Sequence, residues 1–165
     1  MIKVKDIMST KVISVSPETE IVEAADLLLK NRINGLPVLD TSGALVGIIC
    51  QSDLIAQQKK LPLPSLFSFL DGYIALSSMK NLQRQVDKIA ATTVAQAMTP
   101  TPVTIDSATD IEAVAALMVD HNFHTLPVVE GGKLVGIVGK EDILRTLISN
   151  STMNTGSTSG EHGLA

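Results

Sequence analysis

Aromatic residues are scarce in this chain of 165 residues, which holds three Phe, one Tyr and no Trp. Its interior must therefore be aliphatic. Hydrophobic residues make up 45% of the chain, enough to bury a substantial core. Cysteine occurs once, at Cys50, so no intrachain disulfide can form. Positive charge is also in deficit: 13 Lys and Arg stand against 17 Asp and Glu, for a net charge of −4. A surface of that sign has no global attraction for nucleic acid or for an anionic membrane. No apolar run approaches the roughly 18 residues of a spanning helix, and residues 1–6 lack the apolar stretch of a secretory signal. These shortages point to a cytoplasmic, reducing setting, with neither nucleic acid nor membrane expected as a partner.

Catalytic signatures are missing too. The chain has no glycine-rich phosphate loop ending in Lys-Ser or Lys-Thr, no G-x-S-x-G elbow and no H-E-x-x-H helix. His121 and His124 have i, i+3 spacing with Asp120 adjacent, but nothing nearby in sequence completes a metal site. The chain reads as a protein that is not an enzyme and requires no metal or cofactor.

What the chain does have is an internal repeat. Residues 4–55 align with residues 94–144: Met8 falls on Met98, Thr19 on Thr109 and Ile21 on Ile111. Leu36-Pro37-Val38 falls on Leu126-Pro127-Val128, Leu45-Val46-Gly47-Ile48 on Leu134-Val135-Gly136-Ile137, and Asp53 on Asp142. One gap near Ser42 keeps the register. Two copies are too few for a solenoid and suit a pseudo-symmetric pair that buries a shared face.

Each copy predicts the order β-α-β-β-α behind a short leading helix, around residues 5–8 and 95–98. The first β run is Val12–Val15 in one copy and Val103–Ile105 in the other. Ile21, Ala24, Ala25 and Leu28, and likewise Ile111, Val114, Ala115 and Met118, recur at helical spacing. Thr109 with Glu112 has the form of a capping box. A hairpin follows, turning at Asp40–Gly43 and at Glu130–Gly132, where glycine supplies positive φ. Pro37 and Pro127 cannot donate to a ladder and are expected at a strand start or edge. A second helix opens at Ser52-Asp53 and at Glu141-Asp142. Gly47 and Gly136 read as sites of close strand packing.

The organisation is therefore a first motif at 1–55, a helical insert or connector at 56–92, a second motif at 93–148 and a disordered tail at 149–165. The insert carries Leu61-Pro62-Leu63-Pro64, the aromatics Phe67, Phe69 and Tyr73, and an amphipathic pattern from Met79 to Ala91. The tail is rich in Ser, Thr, Gly and Asn.

Taken in order and present twice, an extended start, Gly-Leu-Pro-Val or its equivalent, Leu-Val-Gly-Ile and then an Asp opening a helix resembles the CBS (cystathionine-β-synthase-type) motif, and two in tandem resemble a Bateman module. The likeness covers both repeats. It implies an α/β fold of two pseudo-symmetric β-α-β-β-α repeats and a regulatory module that binds AMP, ADP, ATP or S-adenosylmethionine in clefts between the motifs. Carried over position by position, Asp53 and Asp142 would hold the ribose diol, since a carboxylate can accept from both hydroxyls. The adenine-contacting positions fall on Val12 and Ile13, and on Pro102 and Val103. The residues leading into the hairpin fall on Asn34, Gly35, Leu36 and Pro37, and on His124, Thr125, Leu126 and Pro127. Where the family usually carries a Ser or Thr three residues before the Asp, this chain has Cys50 and Gly139. Glu141 precedes the second Asp, where a basic residue is usual in strong phosphate binders. The phosphate grip is therefore expected to be weaker than typical, above all in the second cleft. The family also implies a homodimer through its helices, for which Ala24, Leu28, Val114 and Met118 suit either core or interface. The competing reading is an adaptor that dimerises and binds no ligand.

Overall fold

The computed structural model describes residues 1–60 and 92–154. The elements run α1 (Val4–Ile7), α2 (Ile21–Asn31), β1 (Gly35–Leu39), β2 (Leu45–Cys50) and α3 (Gln51–Lys60). After the connector come α4 (Val94–Ala97), β3 (Thr99–Pro100), α5 (Ile111–His121), β4 (Thr125–Glu130), β5 (Lys133–Gly139) and α6 (Lys140–Asn154). This is the mixed α/β architecture expected from the repeat. The pattern from Met79 to Ala91 and the aromatics Phe67, Phe69 and Tyr73 lie outside the described residues. The tail expectation is corrected at its start: α6 runs on to Asn154, so residues 149–154 are helical.

Each repeat folds its hairpin around the foreseen turn. β1 and β2 pair antiparallel with Pro37 opposite Ile48, and β4 and β5 pair with Pro127 opposite Ile137. The first turn is tied by Asp40, whose Oδ1 accepts from the Ser42 and Ala44 amides, and Gly43 closes it at φ +82°. The second places Gly131 and Gly132 at φ +54° and +80°, as a two-residue hairpin loop of the I′ kind requires.

The leading β runs are less regular than their composition suggests. Each makes a single parallel bridge, Val15 to Val38 and Ile105 to Val128. The prolines explain this. Val15 donates to the Pro37 carbonyl at 3.1 Å and accepts from Leu39 at 2.9 Å. One step back, the parallel ladder needs an N–H from Pro37 to the Ile13 carbonyl, and proline has none. Pro127 does the same to Val103. Both prolines thus sit inside edge strands of their sheets, the edge rather than the start of the expectation, and the neighbouring ladder stops at them.

Helices α2 and α5 cover the hairpins. Their inward stripes are Ile21, Ala24 and Leu28, and Val114 and Met118, all buried. Both end on a left-handed residue, Arg32 at φ 52° and Asn122 at φ 55°. The capping box expected from Thr109 and Glu112 is replaced by a different start. Asp110 is the N-cap of α5, and its carboxylate turns outward to Lys3 Nζ at 2.7 Å.

The cores are exchanged between repeats, and nothing in the repeat pattern announces it. Val4 of α1 is fully buried with Ile105, Val114, Met118, Leu126, Val128 and Val138 of the second repeat. Val94 of α4 is fully buried with Val15, Ala24, Leu28, Leu36, Val38 and Ile49 of the first. The residues after each short helix follow it across: β3 pairs with β2, and Ser9 exchanges two backbone hydrogen bonds with Ile137 at 2.9 and 3.0 Å. Gly47 and Gly136 make the crossing fit. A Cβ on Gly47 would stand 2.5 Å from Met98 Sδ, and one on Gly136 2.6 Å from Met8 Sδ. These glycines pack strands closely, as expected.

Candidate functional site

Exchange brings the two hairpins side by side with their openings facing opposite repeats. Where they meet, Gly35 approaches Cys50 and Thr125 so closely that a Cβ would stand 3.3 Å from each. Two clefts flank this contact.

The first cleft encloses about 630 Å3. Cys50, at the end of β2, and Ser52 and Asp53, at the start of α3, reach it, with Pro102 and Val103 from the extended segment of the second repeat, His124 from just before β4, and Thr125, Leu126 and Pro127 from β4. The second encloses about 210 Å3 and reverses the roles. Gly139, Glu141 and Asp142 come from the second repeat, and Ile13, Asn34 and Gly35 from the first. Asn34 and Thr125 line both. Each cleft thus joins the helix-opening carboxylate of one repeat to the extended segment of the other.

The two carboxylates are held alike. The Cys50 amide donates to Asp53 Oδ2 at 2.8 Å, and the Gly139 amide donates to Asp142 Oδ2 at 2.8 Å. In each case the Asp caps the first turn of its helix from within and favours the positive end of the helix dipole. One oxygen is committed, and the carboxylate keeps acceptor capacity on the other. Around Asp142 that other oxygen, Oδ1, lies 3.5 Å from Arg145 Nη1. The Cys50 thiol is pushed up to about 11, first by burial and then by the neighbouring Asp53 charge. It is a protonated, weakly polar wall at neutral pH.

Three expected contact residues are not in the clefts. Leu36 and Pro37 are fully buried, Leu36 within the first core, and line neither cleft. Their twins Leu126 and Pro127 are equally buried yet border the first cleft, which is the larger. Val12 lines neither, while Ile13 lines the second and packs on the first core. The other thirteen expected residues border one or both clefts.

Several lining residues escaped the sequence reading. In the first cleft these include Ile55, 64% exposed, and Phe123, whose ring stacks on His121 with centroids 5.4 Å apart. In the second they include Ser9, Lys11, Arg32 and Arg145. The basic residues matter most, since the sequence weighed Glu141 alone. They are far apart in the chain and form no motif. The dimer expectation also shifts. Ala24, Leu28, Val114 and Met118 are core residues, 0–5% exposed, whereas Val22, Leu29 and Val119 on the same helices stand 52%, 73% and 79% exposed. Among the described residues no group of His, Cys, Asp and Glu could hold a metal, and no helix is long and apolar enough to cross a membrane.

The family model of the CBS domain matches residues 4–60 and 94–149. Over 139 residues the chain is 31% identical to the CBS domain-containing protein CBSX2, chloroplastic, of Arabidopsis thaliana, covering 81% of this chain. It spans 58% of the length of that relative and of CBSX1 from the same plant. The crystal structure of CBSX2 in complex with AMP superposes with a TM-score of 0.68 at 28% identity, over 92% of this chain and 99% of that one. The CBS domain pair of protein MJ0100, in complex with 5′-methylthioadenosine and S-adenosyl-L-methionine, superposes with a TM-score of 0.66 at 30% identity. That match covers 91% of this chain and 98% of the other.

Proposed function

Because the chain belongs to the CBS domain family, with both of its repeats matched, we propose that it is a regulatory module that binds an adenosyl ligand in one or both clefts and performs no catalysis. One observation carries the reading. In each cleft a helix-opening Asp of one repeat faces a proline-interrupted extended segment of the other. Asp53 or Asp142 accepts the ribose hydroxyls with the oxygen not tied to its helix. The carbonyl of Val103 or Ile13, which proline leaves without a ladder donor, accepts from the exocyclic amine of adenine. Apolar walls grip the purine faces, and in the first cleft Ile55, Val103 and Phe123 supply them. The AMP, 5′-methylthioadenosine and S-adenosylmethionine of the related structures support the ligand class. Binding clamps one repeat on the other and shifts the population of whatever surface a partner reads.

Two further parts belong to this proposal. The exposed Val22, Leu29 and Val119 pair two copies into a homodimer through α2 and α5, and a protein with one half-buried cysteine works in the reducing cytoplasm. The same apolar helix faces favour the second reading, an adaptor that dimerises with its clefts empty.

Isothermal titration calorimetry of the chain against AMP, ADP, ATP, S-adenosylmethionine, adenosine and GMP separates them. The module reading expects an adenosyl signal in the micromolar range, about −8 kcal/mol, abolished by Asp53→Ala or Asp142→Ala, with GMP silent. Silence across the panel on folded protein refutes it and favours the adaptor.

A further inference from the structure

The two clefts differ in charge although their repeats are alike. The first has no Lys or Arg among its described lining residues; Asp53 is its only carboxylate, accompanied by His121 and His124. The second gathers Lys11, Arg32 and Arg145 against Glu141 and Asp142, three cations to two anions. Arg145 is partly committed, 3.5 Å from Asp142. Neither Lys11 nor Arg32 has a carboxylate within ion-pair distance among the described residues. Two cations without an ion-pair partner among the described residues outweigh the single free carboxylate, Glu141, in this concave site and leave it a positive bias.

Resting on the adenosyl reading, we infer that the clefts divide ligands by the charge of the 5′ group. The second takes an adenosyl ligand with an anionic 5′ group, a nucleoside monophosphate. The first takes one whose 5′ group is neutral or cationic, such as a thioether or sulfonium. Asp142 orients the ribose while Lys11 and Arg32, both from the first repeat, reach the phosphate across the boundary between repeats. Arg32 can do so because it ends α2 in the left-handed conformation, φ 52°, which turns the chain there toward the cleft. Glu141 opposes the same phosphate and sets the affinity below what the cations alone would give. In the first cleft a phosphate would meet Asp53 with no Lys or Arg among the described lining residues to offset it. A neutral thioether or a positive sulfonium meets no such opposition, and a volume of about 630 Å3 has room for the long amino-acid arm of a sulfonium ligand.

The test is calorimetry with two probes, AMP and 5′-methylthioadenosine, on the full chain and on Lys11→Gln, Arg32→Gln, Glu141→Gln, Asp53→Ala and Asp142→Ala. AMP binding is expected to vanish in Asp142→Ala and survive in Asp53→Ala. Losing either cation weakens AMP roughly tenfold, as for a charge-assisted contact, and Glu141→Gln tightens it roughly threefold. The thioether is expected to follow Asp53 and to ignore Lys11, Arg32 and Glu141. The Glu141 variant is a gain of binding, which misfolding cannot imitate. The division is overturned if AMP follows Asp53, or if the cation variants leave AMP unchanged or weaken both probes equally; adenosyl binding itself then stands. Silence of both probes on folded protein overturns the adenosyl reading and this inference with it.

Discussion

Replacing Gly136 by alanine adds one methyl group at the point where the N-terminal segment crosses onto the second repeat. Its Cβ would stand 2.6 Å from Met8 Sδ and 3.1 Å from both Met8 Cγ and the Ser9 carbonyl oxygen. The thioether can rotate, but the carbonyl belongs to a bridge whose two hydrogen bonds to Ile137 are 2.9 and 3.0 Å long. Relief therefore moves backbone. Overpacking of this kind costs about 1–3 kcal/mol, and each bridge bond that lengthens adds up to about 1 kcal/mol. Against this, alanine restricts the unfolded chain and returns about 0.4–1 kcal/mol. The balance is a loss of roughly 1–3 kcal/mol, read as a lower urea midpoint at constant slope by far-ultraviolet circular dichroism. Gly139→Ala is the control. Its nearest atom is the Glu141 carboxylate at 3.4 Å, so its stability is expected to stay within about 0.5 kcal/mol of the parent. Met8→Ala introduced beside Gly136→Ala should recover part of the loss, with a coupling of about 1 kcal/mol. Should Gly136→Ala match or exceed the parent in stability, the close crossing is not where the argument puts it.

Leu36 is fully buried and lines neither cleft, so Leu36→Ala should cost about 2–5 kcal/mol in urea denaturation and change ligand affinity less than about twofold. The reverse result would restore it to the site. Burial and Asp53 raise the Cys50 thiol from 9.0 to about 11, so the unfolded chain loses that proton first. The stability this group contributes is whole below about pH 9 and lost as pH rises through about 11; urea midpoints across that window should fall more steeply in the parent than in Cys50→Ala. Cys50→Ser puts a true hydroxyl donor at the rim of the first cleft. It should tighten the ligand bound there by roughly threefold to tenfold, and calorimetry showing weaker binding would contradict a ligand contact at that position.

The repeat, the hairpins and the two carboxylates were legible because each leaves a local mark: a turn glycine, a period, a charge at a helix start. Gly47 and Gly136 were legible as close packing for the same reason. The exchange of leading segments was not. Val4 and Val94 are apolar residues in equivalent positions, and apolarity states that a side chain is buried without stating in which core. Leu36 and Pro37 show the mirror of that ambiguity. A wall residue and a core residue have the same composition, so the sequence does not separate them from Leu126 and Pro127, which border the first cleft. Lys11, Arg32 and Arg145 carried no signal at all, since each belongs to a different element and they converge only after the repeats interlock.

Interlocking also bears on how one chain of two similar halves acts as a unit. Each core contains a helix borrowed from the other repeat, and each cleft contains a carboxylate from one repeat and an extended wall from the other. Neither half owns a complete core or a complete cleft. Asn34 and Thr125, the residues common to both clefts, lie at a close approach, where a Cβ on Gly35 would stand 3.3 Å from both Cys50 Sγ and Thr125 Cβ. On the proposed adenosyl binding, a ligand drawn into either cleft would bear on residues that also line the other. In an interior packed this closely, a shift at such a shared residue is felt by its neighbours. The repeat that makes the fold recognisable in the sequence is thus also what ties the two clefts to shared residues.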